Sequence, residues 1–170
     1  MNTLEIQKIL TNVLPTCRVN FLGVFAQDTI PDINSQPSPL CFVSNTHPSN
    51  KPGEHWVAFF YENSHLEFFD SYGLSPSMYD FKFQIPMRMN HQTLQSLDSN
   101  VCGHYCIFYL YHRSRGKSLS QIVSSFSTRD LSWNDNSVTR FLSKLLPSPP
   151  CSKSSCACSQ SCMKRHMCNK

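Results

Sequence analysis

Two runs of aromatic and β-branched residues, Trp56–Tyr61 and Leu66–Phe69, are separated only by the polar stretch Glu62-Asn63-Ser64-His65. Runs of this composition read as strands, and so short a polar connection leaves an antiparallel hairpin as the way to join them. In such a hairpin the start of the first strand lies beside the end of the second. The residue before the first run is His55, and the residue after the second is Asp70, followed by the turn signal Ser71-Tyr72-Gly73. The hairpin therefore sets an imidazole next to a carboxylate, as a base and its orienting partner require.

A second constraint lies downstream. Cys102-Gly103 opens the breaker-free stretch His104–His112, apolar on all sides, after the polar segment Asp98-Ser99-Asn100. This pattern predicts a buried helix with Cys102 in its first turn. Free backbone N–H groups and the helix dipole favour a negative charge there, and a nearby imidazolium adds to the effect, so a thiol at this position ionises readily. Gly103 is expected to let a substrate backbone approach the thiol. Cysteine hydrolysis also needs donors for the oxyanion. The backbone N–H of Cys102 supplies one, and Gln95, in the polar loop upstream, supplies an uncharged amide.

Each residue alone has an ordinary reading: a small buried thiol, a strand-edge histidine, a turn-forming aspartate, a solvated glutamine. The ordered set His55, Asp70, Gln95, Cys102 is what points to a nucleophile site. Cys106 lies one helical turn beyond Cys102 on the same face. It is the rival thiol, expected in the core.

These residues carry a resemblance. Phe21-Leu22-Gly23, Leu40–Thr46, His55-Trp56-Val57-Ala58-Phe59, Phe69–Gly73 and the spacing from Gln95 to Cys102-Gly103 resemble, in the same order, the adenain family of adenovirus maturation proteases. The wider superfamily includes the SUMO-type proteases of ubiquitin-like proteins. The resemblance implies an α+β fold of papain-like cysteine protease architecture, with a mostly antiparallel central sheet and the nucleophile at the N-terminus of a buried helix. It makes Cys102 the nucleophile, His55 the general base and acid, Asp70 the orienting carboxylate and Gln95 an oxyanion donor. Adenain usually has Glu where this chain has Asp70, as the SUMO-type enzymes do; either carboxylate can orient an imidazole. The stretch from Asp70 to Gln95 is shorter than in adenain. No cysteine lies between Cys41 and Cys102, which speaks against a disulfide-tethered peptide activator.

At 170 residues the chain suits a single domain with a substantial core. Leu4, Ile6, Ile9, Leu10, Val13 and Leu14 recur at helical spacing, with Asn2 or Thr3 as cap and Pro15 as stop. Pro31–Pro39 and Thr46–Gly53 read as loops. Ser118–Phe126 suits a short helix, and Asn134 or Asp135 is expected to cap a last one carrying Val138, Phe141, Leu142, Leu145 and Leu146. The protease domain is expected to span 1–150, ending at Pro147-Ser148-Pro149-Pro150.

Residues 151–170 form a basic, Cys-rich tail with five of the nine cysteines. Four of the 15 Lys and Arg residues fall there and none of the 11 Asp and Glu, so the tail accounts for the whole formal charge of +4. Such a tail suits phosphate contacts with nucleic acid or simple solvation. Cys151, Cys156, Cys158, Cys162, His166 and Cys168 include metal-ligand types but lack paired C-x₂-C spacing, so no metal site is assigned.

The chain begins without a basic segment followed by an apolar run and has no stretch long enough to span a membrane. An intracellular, reducing setting is expected, in the host nucleus or the virion, with the cysteines free. The expected activity is a cysteine endopeptidase, acting as a monomer on viral or virus-like structural precursor proteins during particle maturation. Its chemistry requires no cofactor, and the resemblance brings DNA or a peptide as activator. The alternatives are a protease that removes a ubiquitin-like modifier and an inactive peptide-binding module.

Overall fold

A computed structural model describes residues 1–146. The expected domain boundary at residue 150 and the Cys-rich tail, with its basic residues and metal-ligand candidates, lie outside the described residues.

The two aromatic runs form the predicted hairpin. Strands β3 (Trp56–Glu62) and β4 (His65–Phe69) pair antiparallel with Glu62 opposite His65. Only Asn63 and Ser64 remain to turn the chain, and both have positive φ (52° and 61°), as a tight hairpin turn matched to strand twist requires. Strand β2 (Leu40–Asn45), buried throughout, pairs antiparallel with β3 on its other side. The sheet is completed by β1 (Asn20–Phe25), parallel to β2, and by a short strand β5 (Met87–Met89), parallel to β4. Strand order is therefore β1-β2-β3-β4-β5, antiparallel at the centre and parallel at both edges. Strand β5 had no signal of its own in the sequence, being three residues long.

Because side chains alternate across a strand, the sheet buries two apolar faces. Cys41, Val43, Ala58, Phe60 and Phe69 face the helices: α1 (Thr3–Val13), α2 (Cys102–Arg113), α3 (Leu119–Val123) and α4 (Leu131–Leu145). Leu40, Phe42, Val57, Phe59, Leu66 and Phe68 face the other way, onto Ile33 and Phe81 of the long connections. Phe42 and Phe59 stack there with ring centroids 4.6 Å apart. Each buried phenylalanine contributes roughly 1.5–3 kcal/mol by leaving water, so the hairpin is anchored from both sides.

Local chemistry explains the helix ends. Asn2 and Glu5 form a reciprocal capping box at the start of α1, whose Ile6, Ile9 and Leu10 are buried while Leu4, expected on the apolar face, is 78% exposed. The last helix begins earlier than expected: Asp130 is its cap, and Asn134 and Asp135 lie within it. Asn134 is fully buried and points inward with Val138 and Leu142. At the far end of α2, Arg113 lies over the Phe60 ring and donates to Glu67 and Glu62, each at 2.8 Å, while Tyr109 donates to Glu67 at 2.7 Å. Helix and hairpin are thereby locked in register.

Candidate active site

The hairpin geometry delivers the expected pair. His55 sits immediately before β3 and Asp70 immediately after β4, with His55 Nε2 donating to Asp70 Oδ1 at 2.6 Å. Both are buried, at 5% and 0% exposure. Asp70 is wrapped on all sides: Oδ1 also accepts from Tyr72 N, and Oδ2 accepts from Leu74 N and the Tyr79 hydroxyl, each at 3.0 Å. Its own backbone is clamped by Asn90, whose Oδ1 accepts from Asp70 N at 3.0 Å and whose Nδ2 donates to Asp70 O at 2.6 Å. The Asn90 side chain thus continues the β4–β5 ladder where β5 has ended.

With Nε2 committed to Asp70, Nδ1 is the ring nitrogen left for the thiol. Cys102 is the first residue of α2, and the preceding Val101 offers no side-chain cap. A Ser or Asp in that place would compete for first-turn amides; here His104 N donates to Val101 O at 2.9 Å, and the Cys102 and Gly103 amides stay available to an anion. Burial opposes ionisation of Cys102, but the His55 side chain and the backbone N–H groups of Trp56 and Gly103 outweigh it and lower its pKa. Burial likewise opposes the His55 imidazolium, yet Asp70 and Cys102 raise its pKa to about 9. The two shifts have one meaning, a thiolate beside an imidazolium. The Tyr72 ring stacks on His55 with centroids 4.7 Å apart, fixing the plane of the imidazole.

Gln95 belongs to the same site, though not as a loosely solvated residue. It is fully buried, its Oε1 accepts from Ser71 Oγ at 2.7 Å, and its Nε2 donates to Ser99 O at 2.8 Å. These bonds fix which end of the amide is the donor and leave Nε2 a second N–H. The loop is held from both sides: Leu94 N and Gln95 N donate to Ser71 O, while the buried Asn134 and the Tyr105 hydroxyl both donate to Leu94 O. Gly73 completes the arrangement with φ +71°, where a Cβ would come within 2.8 Å of the Gln92 backbone. The turn after Asp70 and the loop before Gln95 meet there with no room for a side chain.

Gly103 departs from expectation. A Cβ on it would meet Ile6 and Met1, each at 3.2 Å, so its smallness lets α1 pack on the first turn of α2 and does not open a path for substrate. Cys106, 1% exposed, has its pKa raised well above the ordinary value by burial, as a core thiol should.

Cys102, His55, Trp56, Gln95, Tyr72 and Tyr79 line one cleft of about 910 Å³. Asn90 and Tyr79 carried no recognisable sequence signal, because their role depends on the route of an irregular loop, and Ser71 was legible only as part of the turn after Asp70. Asn134 had one: it falls four and eight residues before Val138 and Leu142, on the apolar face of α4. Among the described residues no group of His, Cys, Asp and Glu is arranged to hold a metal ion, and no helix is long and apolar enough to cross a membrane.

No family model matches the chain. A protease of Bovine adenovirus 4 is 27% identical over 138 residues, with 68% of this chain and 67% of that protein covered. In three dimensions the chain resembles the crystal structure of an ASFV protease, with a TM-score of 0.63, 16% sequence identity, and coverage of 88% of this chain and 68% of that one. The adenovirus likeness runs through the sequence and the protease likeness through the fold. Similar in sequence to an adenovirus protease and in fold to the ASFV protease, the chain is a protease, and its Cys102–His55–Asp70 arrangement is consistent with the cysteine class.

Proposed function

We propose that the protein is a cysteine endopeptidase that cleaves structural precursor proteins of a virus or virus-like element during particle maturation, with Cys102 as nucleophile. The observation that carries this reading is the buried His55–Asp70 bond of 2.6 Å, with His55 lining the same cleft as Cys102, which stands at an uncapped helix start. His55 takes the proton of the thiol, and the thiolate attacks the scissile carbonyl carbon. The developing oxyanion accepts from the Cys102 backbone N–H and from the free N–H of Gln95 Nε2. Protonated His55 gives its proton to the leaving amine, then as base activates the water that hydrolyses the thioester. Asp70 holds the ring and its charge throughout.

The maturation role, and with it a place in the virion or host nucleus, draws support from the adenovirus relative. DNA or a peptide as activator belongs to the same proposal. The test compares viral-type precursor peptides with intact ubiquitin-like conjugates, each with and without DNA. Cleavage of precursors, abolished by Cys102→Ala and largely kept by Cys106→Ala, is expected. Cleavage of conjugates alone would assign the enzyme to modifier removal, and loss of turnover only in Cys106→Ala would mean that the nucleophile had been misassigned.

A further inference from the structure

Tyr79 is placed unlike any other residue of the cleft. It ends a 3₁₀ turn, Pro76–Tyr79, and is followed by Asp80 in the left-handed conformation at φ 59°. Its backbone carbonyl accepts from the Gln27 side-chain amide across the molecule. Its ring lies 5.9 Å from that of His55 and 6.5 Å from that of Phe81, and its hydroxyl donates to Asp70 Oδ2 at 3.0 Å. Together with Thr46, His47, Pro48, Lys51 and Glu54, it lines both the main cleft and an adjoining depression of about 410 Å³. A residue that needed only to fill space there would leave Asp70 Oδ2 with a single donor, the backbone N–H of Leu74.

We propose that Tyr79 is a positioning residue of the catalytic site: it fixes the Asp70 carboxylate so that Oδ1 stays aimed at His55, and it links the outer cleft wall to the catalytic residues. This rests on the function proposed above. The titratable groups that act on Asp70 or feel its charge are His55 before β3, Tyr72 and Tyr79 in the connection after β4, and Cys102 and Cys106 on α2. Burial and the neighbouring Asp70 push the Tyr79 hydroxyl far up, so it remains a donor across the working pH range.

The decisive variant is Tyr79→Phe, which keeps the ring and removes the donor. A less firmly held Asp70 supports the His55 imidazolium less well, so thiolate formation at Cys102, and with it the acid limb of the kcat/KM profile, is expected to move up by about half a unit to one unit, with kcat lowered about tenfold. Site-specific 3-fluorotyrosine at position 79, a stronger donor, is expected to move that limb down or leave it in place. A limb unmoved by Tyr79→Phe overturns the proposal, whether or not turnover falls evenly at all pH values. Should Tyr79→Phe not fold, a limb moved upward by the fluorinated residue overturns it equally. The alkylation rate of Cys102 is recorded alongside: an unmodified chain that cleaves no peptide would refute the proposed function, while its alkylation profile would still decide the role of Tyr79.

Discussion

Asp70→Asn tests the ion pair directly. In the wild type His55 is raised from the ordinary 6.5 to about 9, which at 1.36 kcal/mol per pH unit is roughly 3 kcal/mol of preference for the imidazolium. Burial opposes that charge, so the preference comes from Asp70 and Cys102. With an amide in place of the carboxylate, burial remains and its main opponent is gone; the imidazolium is then lost near or below pH 6.5. The thiolate loses its counter-ion, and its formation moves up toward the free-thiol range near 8.5. The working window between thiol ionisation and imidazolium loss closes from both sides. Two assays separate the limbs: alkylation of Cys102 by neutral iodoacetamide follows only the thiolate, whereas kcat/KM also needs the imidazolium as acid. The wild type should alkylate well below the ordinary thiol range and lose turnover near pH 9. Asp70→Asn should shift the alkylation limb upward and reduce turnover at pH 7.5 by about 10²- to 10⁴-fold. An unchanged alkylation limb would refute the claim that Asp70 sustains the ion pair.

Gln95→Ala should lower turnover by about 10²- to 10³-fold while leaving Cys102 alkylation unchanged, since it removes the proposed oxyanion donor and the bonds to Ser71 and Ser99 but no partner of the thiol; unaltered turnover would remove Gln95 from the site. Gly73→Ala places a Cβ 2.8 Å from the Gln92 backbone at φ +71°. With left-handed strain of roughly 1–2 kcal/mol before the clash is counted, the thermal midpoint should fall by about 4–10 °C, and an unshifted midpoint would show that the loop yields freely. Arg113→Ala leaves Glu67, 7% exposed, with Tyr109 as its remaining side-chain donor. Chemical denaturation should show a loss of about 3–5 kcal/mol, with turnover of the folded fraction within about twofold of wild type; a stability change below about 1 kcal/mol would make the pair ornamental.

The parts of the site written in local pattern were legible in the sequence. The hairpin could be read because aromatic runs on either side of a short polar turn have few alternatives, and it alone brings His55 to Asp70 across fifteen residues of chain. The start of α2 could be read because a breaker-free apolar run after a polar segment marks a buried helix. What stayed illegible depends on where irregular chain travels. Strand β5 is three residues of ladder, too short for periodicity to register, yet it sets Asn90 on the Asp70 backbone. Gly103 was read by its neighbour in sequence, the thiol, when its neighbours in space are Met1 and Ile6. Asn134 and Asp135 were read as caps because polar residues before an apolar run usually are; they are interior residues, and Asn134 spends its amide on the carbonyls of Leu94 and Ser127.

These exceptions share a cause. Tyr72, Tyr79, Asn90, Ser71 and Asn134 all act on the two irregular segments, 70–75 and 90–96, that carry Asp70 and Gln95 away from regular structure. A strand or helix satisfies its own backbone, but a buried loop cannot, so its polar groups must be met by side chains from elsewhere. Asp70 and Gln95, the proposed orienting carboxylate and oxyanion donor, both lie in such loops and are both fully buried. Several of their supporting bonds therefore span long stretches of chain: Asn90 to Asp70 across 20 residues, Ser71 to Gln95 across 24 and Asn134 to Leu94 across 40. Rigidity at the nucleophile comes from the helix that carries it; rigidity at Asp70 and Gln95 has to be assembled from single hydrogen bonds. Substitutions that damage turnover without touching substrate should accordingly concentrate around those two loops and spare the far end of α2.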